Sequence, residues 1–169
     1  MRYAIALITV LCGVSRVGHR ALSAEDLTAQ IKKEGPAAVL AQLWKHYDDQ
    51  WNYVLNQVAK GPQGWLDVAL LLRPVADAGA RETLDEAIGD ALEAAPERVL
   101  ALMTQEDEVL WWCSLGSDPY DTKALAVAAV ELRIKRVAGV KRPDLAGIRD
   151  ECLKYLRQER IAIEKDYAE

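Results

Sequence analysis

Apolar and polar residues recur with helical spacing along most of this chain. In the last segment, an apolar residue returns every three, four or seven positions, at Leu145, Ile148, Cys152, Leu156 and Ile163. Residues with this spacing share one face of an α-helix, and the charged residues of the segment fall largely on its other faces. The pattern therefore predicts amphipathic helices that bury one face against a common core.

Proline and glycine divide this pattern into segments. Four pairs each precede an apolar periodic run: Gly35-Pro36, Gly61-Pro62, Ala95-Pro96 and Arg142-Pro143. Proline suits the first turn of a helix, and glycine suits the end of the preceding one. These signals predict helices at about residues 25–34, 36–47, 50–60, 62–73, 79–94, 96–103, 105–113, 122–138 and 144–166.

The predicted fold is all-α: one compact domain of about seven to nine short helices, antiparallel because their connections are short. Composition agrees, since the chain has 26 Ala, 22 Leu and no Phe, and strands favour β-branched and aromatic residues. The starts at Gly35-Pro36, Gly61-Pro62 and Ala95-Pro96 resemble one another. They indicate either irregular HEAT-like hairpins or the ordinary use of proline at helix starts.

Two helices carry more specific expectations. The segment 122–138 is apolar on nearly every side from Ala124 to Leu132, which predicts a central, buried helix. In the segment 79–94, Leu84 and Ile88 are expected to face the core, and Asp85 is expected to face solvent.

The N-terminal residues predict export. Arg2 precedes a twelve-residue apolar run at residues 3–14, which is short for a bilayer span and typical of a secretory signal. Small residues at Ala21 and Ser23 predict cleavage before Ala24. We therefore expect a signal peptide at 1–23, a helical domain at 24–169 and a periplasmic location. An uncleaved anchor and a cytosolic protein with a buried N-terminal helix are the alternatives.

Charge bears on the choice of partner. The whole chain has a net charge of −5, and without residues 1–23 it has 18 basic and 26 acidic residues, a net charge of −8. A uniformly acidic domain is repelled by nucleic acid and by anionic lipid. We therefore expect no nucleic-acid partner and no stable membrane insertion after cleavage. The basic pairs Lys135-Arg136 and Lys141-Arg142 are read as cations near a helix C-terminus.

Cysteine usage predicts one disulfide. Cys12 would leave with the signal, so the mature chain would hold Cys113 and Cys152. An exported chain with an even cysteine count usually joins the two thiols. Two buried free thiols or a catalytic cysteine are the alternatives.

Several short motifs resemble a known group of proteins. They are Trp65-Leu66 with Val68-Ala69, Asp77-Ala78-Gly79, Glu82 with Leu84, and Cys113-Ser114 with the later run Arg149-Asp150-Glu151-Cys152-Leu153. In these motifs the chain is similar to a group of small, exported, two-cysteine, all-helical proteins of Gram-negative bacteria. The group has no assigned activity, so the resemblance implies a periplasmic helical protein and no particular chemistry.

Sequence signals for catalysis are sparse. Outside the predicted signal, His46 is the only histidine, and its surroundings are typical of an exposed helix end. Thr104 with Asp107 matches a capping box, and Asp48 or Asp49 occupies a helix-cap position. We therefore predict no catalytic residue, no metal site and no cofactor.

Aromatic and acidic residues are the candidates for partner binding. Trp44, Tyr47 and Trp51 would share one face of a continuous helix, with core packing as the alternative. The loops at 73–82 and 114–121 carry further candidates: Asp77, Glu82, Asp118, Tyr120 and Asp121. Of these, Asp77 and Asp121 could instead be helix caps.

These observations favour a periplasmic protein-binding protein without catalytic activity. It would be of the inhibitor or immunity type, with a basic exported enzyme as partner, because an acidic surface attracts a basic one. The alternatives are a small carboxylate-dependent cell-wall hydrolase and a structural accessory protein of the envelope.

Overall fold

The computed structural model describes residues 22–116 and 122–166, and within these ranges the chain is helical and has no strand. The helices are α1 Ala24–Glu34, α2 Pro36–Lys45, α3 Asn52–Ala59, α4 Gln63–Leu72, α5 Ala78–Ala94, α6 Pro96–Leu102, α7 Glu106–Trp112, α8 Lys123–Ala138 and α9 Ala146–Asp166. The predicted all-α fold is confirmed, and the predicted helix ends differ from the observed ones by at most two residues.

Local capping explains where several helices begin. Ser23, Asp77 and Thr122 stand before α1, α5 and α8, and each side chain accepts a hydrogen bond from a backbone N–H of the first turn. Proline opens α2 and α6, where the missing N–H would have no helical partner. Each of these helix starts is therefore specified by residues adjacent to it in sequence.

Helix α5 lies at the centre of the fold and packs against α3, α6, α7 and α8. Leu84, Ile88 and Leu92 are fully buried on it. The expectation that 122–138 forms the central helix is wrong, because Leu125 and Leu132 of α8 are exposed. An alanine-rich helix can be apolar on all sides and still lie at the surface, since an exposed alanine leaves little apolar area in water.

Helices α8 and α9 form an antiparallel pair along one side of the domain. Arg160 Nε lies 3.0 Å from a carboxylate oxygen of Glu131, and Lys123 Nζ donates to the carbonyl oxygen of Glu164 at 2.6 Å. Sequence neighbours also pair in α1 with α2 and in α5 with α6, but α3 packs on α5 and α1 on α4. The HEAT-like arrangement stays a prediction.

Charge is divided unequally between the two described ranges. Residues 22–116 contain 7 basic and 16 acidic residues, whereas residues 122–166 contain 11 basic and 7 acidic residues. We call residues 122–166 the C-terminal helix pair. The expectation of a uniformly acidic domain is therefore wrong, because the basic residues are concentrated on the last two helices and their connection.

The predicted disulfide is present. Cys113 follows the last residue of α7 and Cys152 lies in α9, with a Cα–Cα distance of 5.3 Å. Both cysteines are fully buried. The bond thus fastens the end of α7 to the C-terminal helix pair.

Candidate functional site

A buried ionic cluster lies beneath the start of α5. Arg73 Nε donates to Asp85 Oδ1 at 2.6 Å, and Arg73 Nη1 donates to Glu108 Oε1 at 3.4 Å. Trp112 Nε1 donates to the same Asp85 oxygen at 2.7 Å, and the guanidinium carbon lies 5.3 Å from the centre of the indole ring. We call Arg73, Asp85, Glu108 and Trp112 the Arg73 cluster. It joins α5 and α7 to the 3-10 turn that follows α4.

Electrostatics keep Arg73 charged in this buried position. Burial acts to lower the pKa of its guanidinium, but the hydrogen bond to Asp85 and the negative charges of Asp85 and Glu108 outweigh it and raise the pKa. Asp107 adds a further negative charge, with one oxygen 3.6 Å from Arg73 Nη2. The cluster therefore holds a charged arginine between two buried carboxylates, and Trp112 donates a further hydrogen bond to one of them.

Glu108 also closes the start of α7. Its Oε2 accepts hydrogen bonds from the backbone N–H groups of Thr104 at 2.6 Å and Gln105 at 3.0 Å. The capping box predicted for Thr104 and Asp107 is thus wrong by one residue, because Gln105 is the residue that precedes the helix and Glu108 lies three positions later. The same carboxylate caps one helix and binds Arg73.

One hollow lies on the α7 side of α5. It has a volume of about 300 Å³ and is lined by Ala78, Arg81, Glu82 and Trp111, with Asp85 also contributing to its wall. Trp111 is 50% exposed, although the adjacent Trp112 is fully buried. The chain therefore holds one tryptophan indole at the surface directly beside the Arg73 cluster.

A second hollow lies on the α2 side of α5. It has a volume of about 340 Å³, and its lining includes Trp44, Val75 and Asp77. Trp44 is 37% exposed, and a Cβ placed on Gly79 would lie 3.7 Å from its ring. The two hollows thus flank the same first turns of α5. We call the exposed residues around them the α5 surface: Trp44, Val75, Asp77, Ala78, Glu82 and Trp111.

The structure separates the three aromatic residues that the sequence grouped. Helix α2 ends at Lys45, and a π-helical turn at Tyr47–Trp51 connects it to α3, so no continuous helix carries them. The Trp44 ring packs edge to face on Tyr47 at 5.1 Å and on Trp51 at 5.6 Å. Trp51 is fully buried and donates through Nε1 to Thr83 Oγ1 at 3.2 Å. Trp51 therefore supports Trp44 from below, and it has no surface to offer a partner.

Two of the acidic candidates for partner binding, Asp77 and Glu82, lie at the start of α5. Asp77 is the N-cap of α5 and accepts a hydrogen bond from the Ala80 N–H at 3.0 Å, while its residue stays exposed. Glu82 is exposed one turn later on the same helix. Three further candidates lie outside the described residues: Asp118, Tyr120 and Asp121.

The sequence reading missed Trp111 and Arg73. Two consecutive tryptophans could have drawn attention to Trp111, because successive side chains of a helix point in directions about 100° apart and need not share the buried face. Arg73 had no local signal, since its partners Asp85 and Glu108 are 12 and 35 residues away in sequence. Its role is set by tertiary contacts alone.

A second buried arginine holds the segment after α7. Arg133 lies in an ion pair with Asp90, bonds Glu93 at 3.4 Å and donates to the carbonyl oxygen of Ser114. Glu159 accepts the Leu115 N–H at 2.9 Å, and burial raises the pKa of Glu159. Burial also raises the pKa of Asp90. These contacts fix the polypeptide next to the disulfide.

The described residues contain no group of three or more His, Cys, Asp or Glu side chains arranged to hold a metal ion. Comparison with protein-family models, with curated proteins and with solved structures gave no match to this chain. Any statement about function therefore rests on the surface and the buried clusters described above.

Proposed function

We propose that this chain binds another protein through the α5 surface, as an exported protein of the inhibitor or immunity type. The observation that carries the proposal is the exposure of two tryptophans, Trp44 and Trp111, beside hollows on either side of the first turns of α5. Tryptophan is enriched among the residues that dominate binding energy, because its large ring buries much apolar area when a partner covers it.

The Arg73 cluster supports this proposal by making the surface rigid. It ties the 3-10 turn at Arg73–Val75 to α5 and α7, so Val75, Ala78 and Trp111 are carried by elements joined through buried hydrogen bonds. A surface that is ordered before binding loses less conformational entropy when the complex forms.

The charge of this part of the chain supports a basic partner. Asp77 and Glu82 are exposed on the α5 surface, and residues 22–116 carry 16 acidic against 7 basic residues. Complementary charge speeds association and penalises partners of the same sign, so the association rate should fall as salt is added.

The disulfide supports export as part of the same proposal. A buried bond between Cys113 and Cys152 is typical of proteins that fold in an oxidising compartment such as the periplasm. The cleaved signal at residues 1–23 stays a prediction, and residues 1–21 lie outside the described part of the chain.

The proposal is tested by capture of a partner from periplasmic extract with matched variants of the full chain. The double variant Trp44→Ala/Trp111→Ala removes both exposed rings, and Leu71→Ala is the control because Leu71 is 40% exposed on α4. Loss of a binding hot spot costs about 2 kcal/mol or more. We expect the double variant to lose at least about tenfold in affinity for the captured protein and the control to bind as the wild type does. Equal binding by the double variant would contradict the proposal.

Asp77 needs two substitutions because it is both a helix cap and an exposed charge. Asp77→Ser keeps a capping side chain and removes the charge, whereas Asp77→Ala removes both and should cost about 1 kcal/mol of stability. We expect Asp77→Ser to slow association with the partner while the unfolding free energy stays nearly unchanged. If only Asp77→Ala weakens binding, the carboxylate acts through the helix and contributes no charge to the interface.

An activity assay distinguishes binding from catalysis. The purified wild-type chain is incubated with cell-wall material, and released fragments are measured. Hydrolysis that a single Glu→Gln substitution abolishes would refute a function by binding alone and favour the hydrolase alternative.

A further inference from the structure

The C-terminal helix pair presents large apolar side chains to solvent. Leu125 is 53% exposed and Leu132 38% exposed on α8, and Ile161 is 63% exposed on α9. The exposed Ala128 lies between the two leucines in sequence, so the three α8 residues follow an i, i+3, i+7 pattern along one stripe. In the described part of the chain, no element covers this stripe.

Exposed cations accompany these apolar residues. Six exposed Lys and Arg side chains of residues 122–166 form no ion pair with any described residue: Lys135, Arg136, Lys141, Lys154, Arg157 and Lys165. Arg160 differs from them, because it is paired with Glu131 and Glu164 at 3.0 Å each. The outer side of the pair is therefore rich in positive charge that the protein does not neutralise itself.

The two helices lie side by side, as the contact of Arg160 with Glu131 and that of Lys123 with Glu164 require. With 16 and 21 residues, α8 and α9 are about 24 and 31 Å long. Two adjacent antiparallel helices of this length form an elongated, shallow face. A face of this shape can contact a planar partner surface along its length, which a narrow cleft could not do.

The acidic remainder of the molecule does not cancel the positive electrostatic field at the surface of the C-terminal helix pair. Residues 122–166 carry a net charge of +4 and residues 22–116 a net charge of −9. Packed helices are separated by about 8–10 Å, and the Debye length at physiological ionic strength is about 8 Å. A charged surface touching the helix pair therefore interacts mainly with the nearest cations.

We propose that the C-terminal helix pair binds the surface of an anionic phospholipid bilayer, with both helix axes parallel to it. Leu125, Leu132 and Ile161 enter the headgroup region, and the exposed Lys and Arg side chains contact lipid phosphates. An acidic protein would satisfy the cations, but large aliphatic residues set apart on a shallow face match a lipid interface, which requires no shape complementarity. Association is peripheral, since no helix in the described ranges is long and apolar enough to cross a bilayer. This inference uses none of the residues of the α5 surface.

The test measures binding of the full chain to vesicles of phosphatidylcholine alone and of phosphatidylcholine mixed with phosphatidylglycerol. The variant Lys135→Glu/Arg136→Glu reverses two exposed charges on α8, and Lys32→Glu/Lys33→Glu makes the identical change in the last turn of α1. One Lys or Arg at the surface is worth about fivefold in affinity. We expect the α8 variant to bind mixed vesicles at least about 25-fold more weakly than the wild type and the α1 variant to bind within about twofold of it.

The apolar run at residues 3–14 is the same in every variant, so its own affinity for lipid cancels in the comparison. The further variant Leu125→Ser/Leu132→Ser should weaken binding while leaving its salt dependence unchanged. Circular dichroism verifies that each variant is folded. Equal binding to the two vesicle types, or equal loss in the α8 and α1 variants, would overturn the proposal. Binding of duplex DNA or an acidic polypeptide without a preference for phosphatidylglycerol would assign the face to another partner and would also overturn it.

Discussion

Replacing Arg73 with Met is the sharpest test of the buried ionic cluster. Met has a similar length and no charge, so Arg73→Met leaves the volume nearly filled and removes the counterion of two buried carboxylates. Those carboxylates belong to Asp85, 2.6 Å from Arg73 Nε, and Glu108, 3.4 Å from Nη1. The substitution therefore isolates the electrostatic contribution from the packing of the side chain.

The expected cost follows from what the two carboxylates retain. Removing one partner from a buried ion pair typically costs about 3–5 kcal/mol. Here Glu108 keeps the backbone N–H groups of Thr104 and Gln105. Asp85 keeps the Trp112 Nε1 hydrogen bond and the half-exposed guanidinium of Arg81, whose Nε lies 3.7 Å from Asp85 Oδ2. We therefore expect Arg73→Met to lower the free energy of unfolding by about 3 kcal/mol, at the lower end of that range. Domains of this size are stable by only about 5–15 kcal/mol.

A double variant separates the ion pair from its surroundings. Arg73→Met/Asp85→Leu removes both charges of this pair, so no buried Asp85 carboxylate is left without Arg73. It leaves Glu108 with its backbone N–H partners but without Arg73, and it leaves the Trp112 N–H without its acceptor, at about 1–3 kcal/mol. The double variant should therefore be less destabilised than the sum of the single variants, by a coupling energy of at least about 2 kcal/mol. Arg157→Met is the matched control, because Arg157 is exposed on α9, and it should change stability by less than about 0.5 kcal/mol.

The assay is urea unfolding of the oxidised protein, followed by far-ultraviolet circular dichroism. A cost below about 1 kcal/mol for Arg73→Met, or additive effects of Arg73→Met and Asp85→Leu, would refute the view that this cluster fixes α5 against α7.

Three further outcomes follow from the structure. Cys113→Ser should lower the free energy of unfolding by about 2–5 kcal/mol, as expected for a bond that closes a loop of 39 residues; labelling of both cysteines in denatured, unreduced protein would contradict this. Burial raises the pKa of Glu159, so the folded state holds that proton more tightly than the unfolded state, and this contribution to stability is lost as pH rises through the folded pKa. Because Gln cannot ionise, Glu159→Gln should therefore gain stability relative to the wild type as pH rises above the ordinary Glu pKa of about 4.3, and a difference that stays constant with pH would refute the assignment. The mass of exported protein should correspond to a chain that begins at Ala24 or Glu25, and a mass that retains residues 1–23 would contradict the predicted cleavage.

Much of the helical layout could be predicted because its causes are local. Pro36 and Pro96 open helices, and Asp77 and Thr122 cap the starts of α5 and α8, all through groups within one turn. Such signals depend on backbone hydrogen bonds between sequence neighbours, so they can be read without knowing the fold.

The candidate site depended on distant contacts and was less predictable. Asp85 was expected in solvent because carboxylates usually are, and its burial is possible only because Arg73 and Trp112 meet it from other elements. Trp51 is buried, and a π-helical turn at Tyr47–Trp51 replaces the continuous helix on which it would have shared a face with Trp44. The sequence pattern of α8 shows which of its residues are apolar, but it does not show which of them another helix covers. In the described part of the chain no helix covers Leu125, so it is exposed.

The most direct measurement of the central claim is backbone hydrogen exchange of the full chain, alone and saturated with its captured partner. If the α5 surface is the binding site, exchange should slow at residues 44–47, 75–82 and 108–112 and stay unchanged on the outer side of α8 and α9. Slower exchange confined to other ranges, with residues 75–82 unaffected, would contradict the claim.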